Sequence, residues 1–177
     1  MVKERRTQQR IILSLQVILL IGMILSSLLI YEHFKTTASE FCQFGDALDC
    51  DVVNKSPYAN LDGLSYMMVF DWYWNVPYIN ISNNNWFLDL ITSNAFLGLL
   101  SLGLIFILTL KKIRTFLFIR PERKLVWVRG LLIFGMIYGW YLVYVQHSLI
   151  RSYCIFCLGL DAVLLASVIL SFFAREL

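Results

Sequence analysis

Four cysteines carry the chemistry open to this chain, and they come in two pairs. Cys154 and Cys157 form a C-x-x-C motif at the start of an apolar stretch, whereas Cys42 and Cys50, with seven residues between them, lie in a polar loop far upstream. A C-x-x-C motif that opens a helix places one sulfur at the helix start and the other a turn deeper, where the positive end of the backbone dipoles favours thiolate. Two such pairs are the material of thiol–disulfide exchange, in which a thiolate attacks a disulfide sulfur. Zinc is the poorer reading, because it wants two close ligand pairs or a mixture of cysteine and histidine, so no metal is expected. A non-enzymatic alternative is a four-span interaction protein in which both pairs are structural disulfides; such bridges resist reduction, whereas exchanging pairs are labile.

The elements that hold these cysteines belong to a membrane. With 59% hydrophobic and 15% charged residues, and a mean hydropathy of +0.68, the chain lies far from a soluble domain. Four apolar stretches reach or approach the ~20 residues that cross a bilayer, at about 11–31, 91–110, 125–145 and 154–174, and lipid requires each to be a helix. The expected fold is an all-α membrane protein, one integral domain over residues 1–177, built as a four-transmembrane-helix bundle with a long outer loop. The first stretch, longer than a signal-peptide core and followed by no A-x-A-like site, is expected to stay as an anchor.

Basic residues orient the bundle. Lys3, Arg5, Arg6 and Arg10 precede the first span, seven more lie between Lys111 and Arg129, and Arg175 follows the last span. Only Lys35, Lys55 and Arg151 fall elsewhere. The positive-inside rule then puts both termini in the cytoplasm and all four cysteines at the outer face, in a compartment where disulfides persist. The net charge of +3 is an orientation signal and gives no reason to expect nucleic-acid binding.

Within the spans, Gly22 with Ser26, Gly135 with Gly139, and Ala162 with Ala166 are small residues at helix-packing intervals. Asn94, Gly98 and Ser101 share one face of the second span and would lay a polar stripe beside the bundle interior. The outer loop carries Glu32, Glu40, Asp46, Asp49, Asp51, Asp62 and Asp71 against two lysines, which suits a partner with a basic patch or a merely solvated loop. Its aromatic run, including Trp72, Tyr73, Trp74 and Trp86, fits the membrane interface. His33 and His147, both at the outer boundary, read as solvated interface residues.

Cys42 and Cys50 after the first span, Ser56 shortly beyond, Ser93-Asn94 early in the second span, and Tyr153-Cys154-Ile155-Phe156-Cys157 opening the last make a chain that resembles the vitamin K epoxide reductase family, and in particular its prokaryotic disulfide-forming homologues. The resemblance spans nearly the whole chain, and the order of the motifs matters: the other four-span quinone-linked disulfide generator carries its C-x-x-C in the first outer loop. It implies that Cys154 and Cys157 are the active-site pair, with Cys157 next to a quinone of the menaquinone or ubiquinone type. It implies also that Cys42 and Cys50 relay electrons to that pair from a soluble extracytoplasmic thioredoxin-fold thiol protein, through a mixed disulfide between Cys50 and Cys154. Ser56 would sit on a short half-helix capping the quinone pocket, and Asn94 would hydrogen-bond a quinone carbonyl, or else serve as a packing contact to a neighbouring helix.

The main departure from the vertebrate vitamin K enzymes is Asp161, four residues after Cys157, where they carry a tyrosine. Asp161 shares a helix face with the cysteines and is expected either to handle protons for the quinone or to make a polar contact between helices. The expected function is a quinone-dependent thiol–disulfide oxidoreductase of a prokaryotic plasma membrane that supports disulfide-bond formation. A vitamin K epoxide or quinone reductase, placed in the ER membrane, is the alternative.

Overall fold

The computed structural model describes residues 2–36, 42, 48–63, 85–110 and 121–174. Six α-helices are ordered along them: α1 (Val2–Phe34), α2 (Cys50–Asn54), α3 (Trp86–Thr92), α4 (Asn94–Thr109), α5 (Pro121–Val145) and α6 (Ile155–Phe173). A 3-10 turn at Pro57–Ala59 follows α2, and a π-helical turn, Gln146–Ile150, extends α5. No strand occurs among the described residues, only two isolated bridges. The aromatic run from Trp72 to Trp74 lies outside them.

Four helices pack side by side, α1 against α4 and α6, and α5 against α4 and α6. Their polarity is fixed by polar contacts at one end of the bundle. Gln16 of α1 donates to the carbonyl and hydroxyl of Thr109 at the end of α4, and the Arg129 guanidinium of α5 donates to the carbonyls of Ser171 and Ala174 at the end of α6. These are the orphan carbonyls that a helix C-terminus leaves, and a cation there also suits the helix dipole. Neighbouring helices therefore run antiparallel, and Leu15, Leu19, Leu102, Ile105, Val128 and Leu132 interlock between them as the core.

Small residues set how closely the helices approach. A Cβ at Gly22 would come 2.9 Å from Val163 Cγ1 and 3.0 Å from Leu102 Cδ1, so α1 touches α4 and α6 as it does only because position 22 has no side chain. Ser26 is fully buried one turn on. Ala162 does not share this role: it faces outward, on the exposed side of α6.

Leu13, Leu20, Ile24, Phe134, Trp140 and Phe172 stand exposed on the outer faces, the inverse of a soluble bundle. Among the described residues, three helical stretches are long and apolar enough to cross a membrane: Glu4–Phe34, Lys124–Ile150 and Ile155–Phe173. The chain is an integral membrane protein.

The expected span at 91–110 is built differently, because Ser93 breaks it. Ser93 takes an extended conformation, its Oγ accepts from the Phe96 N–H, and it thereby caps a new helix, so that α4 has only 16 residues. Serine competes with helix continuation in this way because its hydroxyl replaces a backbone acceptor. The break is where the outer loop docks: Leu61 N–H donates to the Thr92 carbonyl at 3.0 Å, and Asn60 bridges Ser93.

Candidate functional site

At the rim opposite Arg129, two short backbone segments lie side by side and bring the sulfurs together. Asp49 caps α2 by accepting from the Asp51 and Val52 N–H groups at 2.8 and 3.2 Å, which makes Cys50 the first residue of that helix. The Asp49 N–H in turn donates to the Tyr153 carbonyl at 3.0 Å, in a parallel bridge between Leu48 and Tyr153. On the other side, Arg151 in the left-handed region (φ 57°) ends the π-turn and leaves Cys154 extended as the N-cap of α6. The Cys154 N–H donates to the buried Gln146 Oε1 at 3.0 Å, which ties the N-cap to the π-turn.

This scaffold holds Cys42 and Cys50 as a disulfide, with the Cys154 sulfur within 4.8 Å of both. Cys154 and Cys157 are free thiols. Cys42, Cys50 and Cys154 are buried, packed with Leu29 of α1 and Val53 of α2. A hydrogen bond with the Cys157 side chain holds the Cys154 thiol below its ordinary pKa, helped by the backbone N–H groups of Cys157 and Phe156; burial and the charge of Glu32 oppose it. The Cys157 N–H lies 3.4 Å from the Cys154 sulfur, the geometry of a thiolate seated on a helix N-terminus.

Behind the sulfurs opens a cavity of about 650 Å³, counted with its mouth. Ser56, Asn94, Cys157 and Asp161 all line it, among apolar walls that include Leu29, Leu142 and Leu160. Cys154 turns toward the disulfide while Cys157, one helical turn on, faces the cavity. Ser56 lies just beyond α2 at the start of the 3-10 turn, not on a helix, and its hydroxyl donates to the Val53 carbonyl at 2.7 Å. Ser101 does not extend the polar stripe from Asn94: it is exposed and bonds back to the Gly98 carbonyl.

Tyr58, Tyr138 and Asn54 were not singled out from sequence, and they decide how the expected residue Asn94 is held and how the cavity wall is built. Asn94, first residue of α4, donates through Nδ2 to the Tyr58 carbonyl at 2.9 Å and accepts at Oδ1 from the Tyr138 hydroxyl at 2.7 Å. These two bonds fix which way its amide points and leave one N–H without a partner among the described residues. Asn54 is buried on the cavity wall, and its Nδ2 has no hydrogen-bond partner. Asp161 sits against Gly139 of α5, where any Cβ would collide with its carboxylate.

His33 is not a solvated interface residue. Nδ1 donates to the Asn54 carbonyl at 2.7 Å, Nε2 pairs with Asp89 at 3.2 Å, and Asn60 Nδ2 donates to the same carboxylate at 2.6 Å. Those bonds latch α2 and the following turn to α1 and α3, roofing the cavity. His147 is exposed, with Nδ1 2.6 Å from the Tyr153 hydroxyl. The acidic loop is similarly committed in part: Asp51 pairs with Lys55, Asp49 is spent on its cap, and Glu32 and Asp62 are buried. These groups therefore offer little to a basic partner; Glu40, Asp46 and Asp71 lie outside the described residues.

A disulfide with the Cys154 thiol within 4.8 Å of both its sulfurs and the Cys157 thiol one turn on, beside an apolar cavity in a membrane bundle, fits redox activity. The sequence profile of the Vitamin K epoxide reductase family matches residues 13–172. The chain belongs to that family. Vitamin K epoxide reductase proteins are membrane oxidoreductases that join thiol–disulfide chemistry to quinones, and the Cys42–Cys50 disulfide with its neighbouring thiols fits such activity. No curated protein matches the chain.

Proposed function

We propose that this protein oxidises an extracytoplasmic thioredoxin-fold thiol protein and passes the electrons through its two cysteine pairs to a quinone, supporting disulfide-bond formation. One observation carries the reading: Cys154 lies within 4.8 Å of the loop disulfide while Cys157 lines the cavity, so the helix pair bridges the two ends of an electron path. The residues present fit a quinone. The unpartnered Asn54 Nδ2 and the free N–H of Asn94 supply donors at a cavity otherwise walled largely by aliphatic side chains, which suits a ring with carbonyls and an apolar tail. A bound quinone supplies an acceptor for two electrons and two protons.

Each residue then has a part. Cys42 meets the carrier, Cys50 exchanges with Cys154, and Cys157 presents its sulfur to the cavity. Asn94 orients the quinone, Ser56 closes the roof beside it, and Asp161 delivers a proton. The α3–α4 pair supplies the fourth crossing of a single domain, with the termini cytoplasmic and the sulfurs outward in a prokaryotic plasma membrane, as the basic residues favour.

The test uses the full chain in lipid vesicles with a reduced thioredoxin-fold carrier and a short-chain quinone. Given the oxidised carrier, Cys50→Ala should trap it: the Cys42 thiolate attacks the carrier's disulfide, one carrier sulfur leaves as thiolate, and with no Cys50 to resolve it a mixed disulfide at Cys42 remains, visible as a reductant-sensitive adduct. Failure of the wild type to reduce quinone at the expense of the reduced carrier overturns the reading. Tyr138→Phe releases the Asn94 amide from one of its two anchors. Loss of a net ~1 kcal/mol hydrogen bond should raise KM for quinone about fivefold and leave exchange between the cysteine pairs unchanged.

A further inference from the structure

We infer that Glu32 is the proton carrier for the sulfur exchange that joins Cys42, Cys50 and Cys154. The inference rests on the proposed exchange between the two pairs and adds a residue to it. Glu32 lies in the last turns of α1, three residues after Leu29, which belongs to the buried cluster that holds Cys42, Cys50 and Cys154. Residues three apart share a helix face and side chains lean toward the helix N-terminus, so the Glu32 carboxyl projects toward the same rim.

It is only 7% exposed, and its Oε2 is buried with no hydrogen bond among the described residues. A carboxyl group held in that way is costly unless it can hold a proton or share one with a neighbour. The neighbouring charged groups are engaged elsewhere: His33 with Asp89, Lys55 with Asp51, Lys35 over the Tyr31 ring, and Asp49 at its cap. Among the described residues Cys154 stands as its acid–base neighbour on this rim, and the Glu32 charge disfavours the Cys154 thiolate. An unpaired carboxyl near a buried thiol is placed to carry a proton for it.

The step is the resolution of the mixed disulfide. The Cys42 sulfur attacks Cys50 in a Cys50–Cys154 disulfide; the Cys42–Cys50 bond forms, the Cys50–Cys154 bond breaks, and Cys154 leaves as thiolate. Glu32 takes the proton from Cys42 and hands it to Cys154. No electrons leave the three sulfurs, and the product is the arrangement in the structure, a Cys42–Cys50 disulfide beside a Cys154 thiol. The reverse step uses the same proton path.

The test follows sulfur connectivity in the full chain in lipid nanodiscs. The fully reduced protein is started with either a short-chain quinone or the small disulfide 2-hydroxyethyl disulfide, quenched in acid and mapped by mass spectrometry across a pH series. Glu32→Gln should resolve the Cys50–Cys154 disulfide at least about tenfold more slowly near neutral pH, so that this linkage accumulates, with a rate that climbs with pH as solvent base substitutes for the carboxylate. Glu32→Asp, which keeps the acid, should recover part of the rate and the wild-type pH profile, and it serves in place of glutamine if that variant does not fold. Resolution by Glu32→Gln at the wild-type rate and with the wild-type pH profile overturns the inference, as does a Glu32→Asp protein no faster than Glu32→Gln. A wild type that never links Cys50 to Cys154 from either oxidant overturns instead the exchange between pairs on which the inference rests.

Discussion

Cys157→Ala should abolish quinone reduction with every electron donor. Cys157 is the cysteine that lines the cavity, and alanine there leaves no sulfur facing it. The same substitution leaves Cys42, Cys50 and Cys154 in place, so a Cys42–Cys50 disulfide should still form with a soluble oxidant. Cys42→Ala should behave in the opposite manner. A small dithiol that reaches Cys154 directly should still reduce quinone, whereas the protein carrier, which engages through Cys42, should lose activity to background. Initial rates of quinone reduction with the two donors measure this division, and equal loss in both assays from Cys42→Ala would refute it.

Asp161→Asn should slow quinone reduction by about a hundredfold, the usual scale for removing a positioned acid, while disulfide exchange between the two pairs proceeds at its wild-type rate. The carboxylate is one turn beyond Cys157 on the cavity wall, close against α5 where Gly139 gives it room. That contact supplies a second variant. Gly139→Ala puts a methyl group where the carboxylate sits, and should reduce turnover in the same direction by displacing Asp161 without removing it. Steady-state turnover and single-turnover disulfide mapping together separate the two steps; unchanged turnover with its pH profile intact in Asp161→Asn would remove the residue from proton delivery.

The first prediction depends on a split within C-x-x-C that the family resemblance implied and whose geometric cause spacing could not reveal. Three residues apart on an ideal helix, Cys154 and Cys157 share a face. The actual Cys154 is extended, outside the helix, because Gln146 holds its N–H and Tyr153 pairs with the 48–49 segment. That backbone pairing turns one sulfur toward the loop disulfide and leaves the other to the cavity. The π-turn that delivers Gln146 shows no separate mark in the residues Gln146–Ile150, since an added residue in a helical turn changes the hydrogen-bond ladder and not the side-chain pattern.

Local chemistry made part of the protein legible from residues alone. Hydropathy marks the apolar helices because lipid tolerates few charges and no unpaired backbone, and the thiols announce redox chemistry because few other side chains can do it. Asn94 and Asp161 stood out as polar groups in apolar spans. The sequence did not disclose what depends on contact between distant segments: the break at Ser93 that receives the loop, the His33–Asp89 latch, the Tyr138 anchor on Asn94, and the burial of Glu32. The paired residues lie between 31 and 56 positions apart along the chain. Periodicity reports which face of one helix is apolar, whereas a hydrogen bond or an unpaired buried carboxyl is decided by what the neighbouring helices place opposite it, which only the packed bundle specifies.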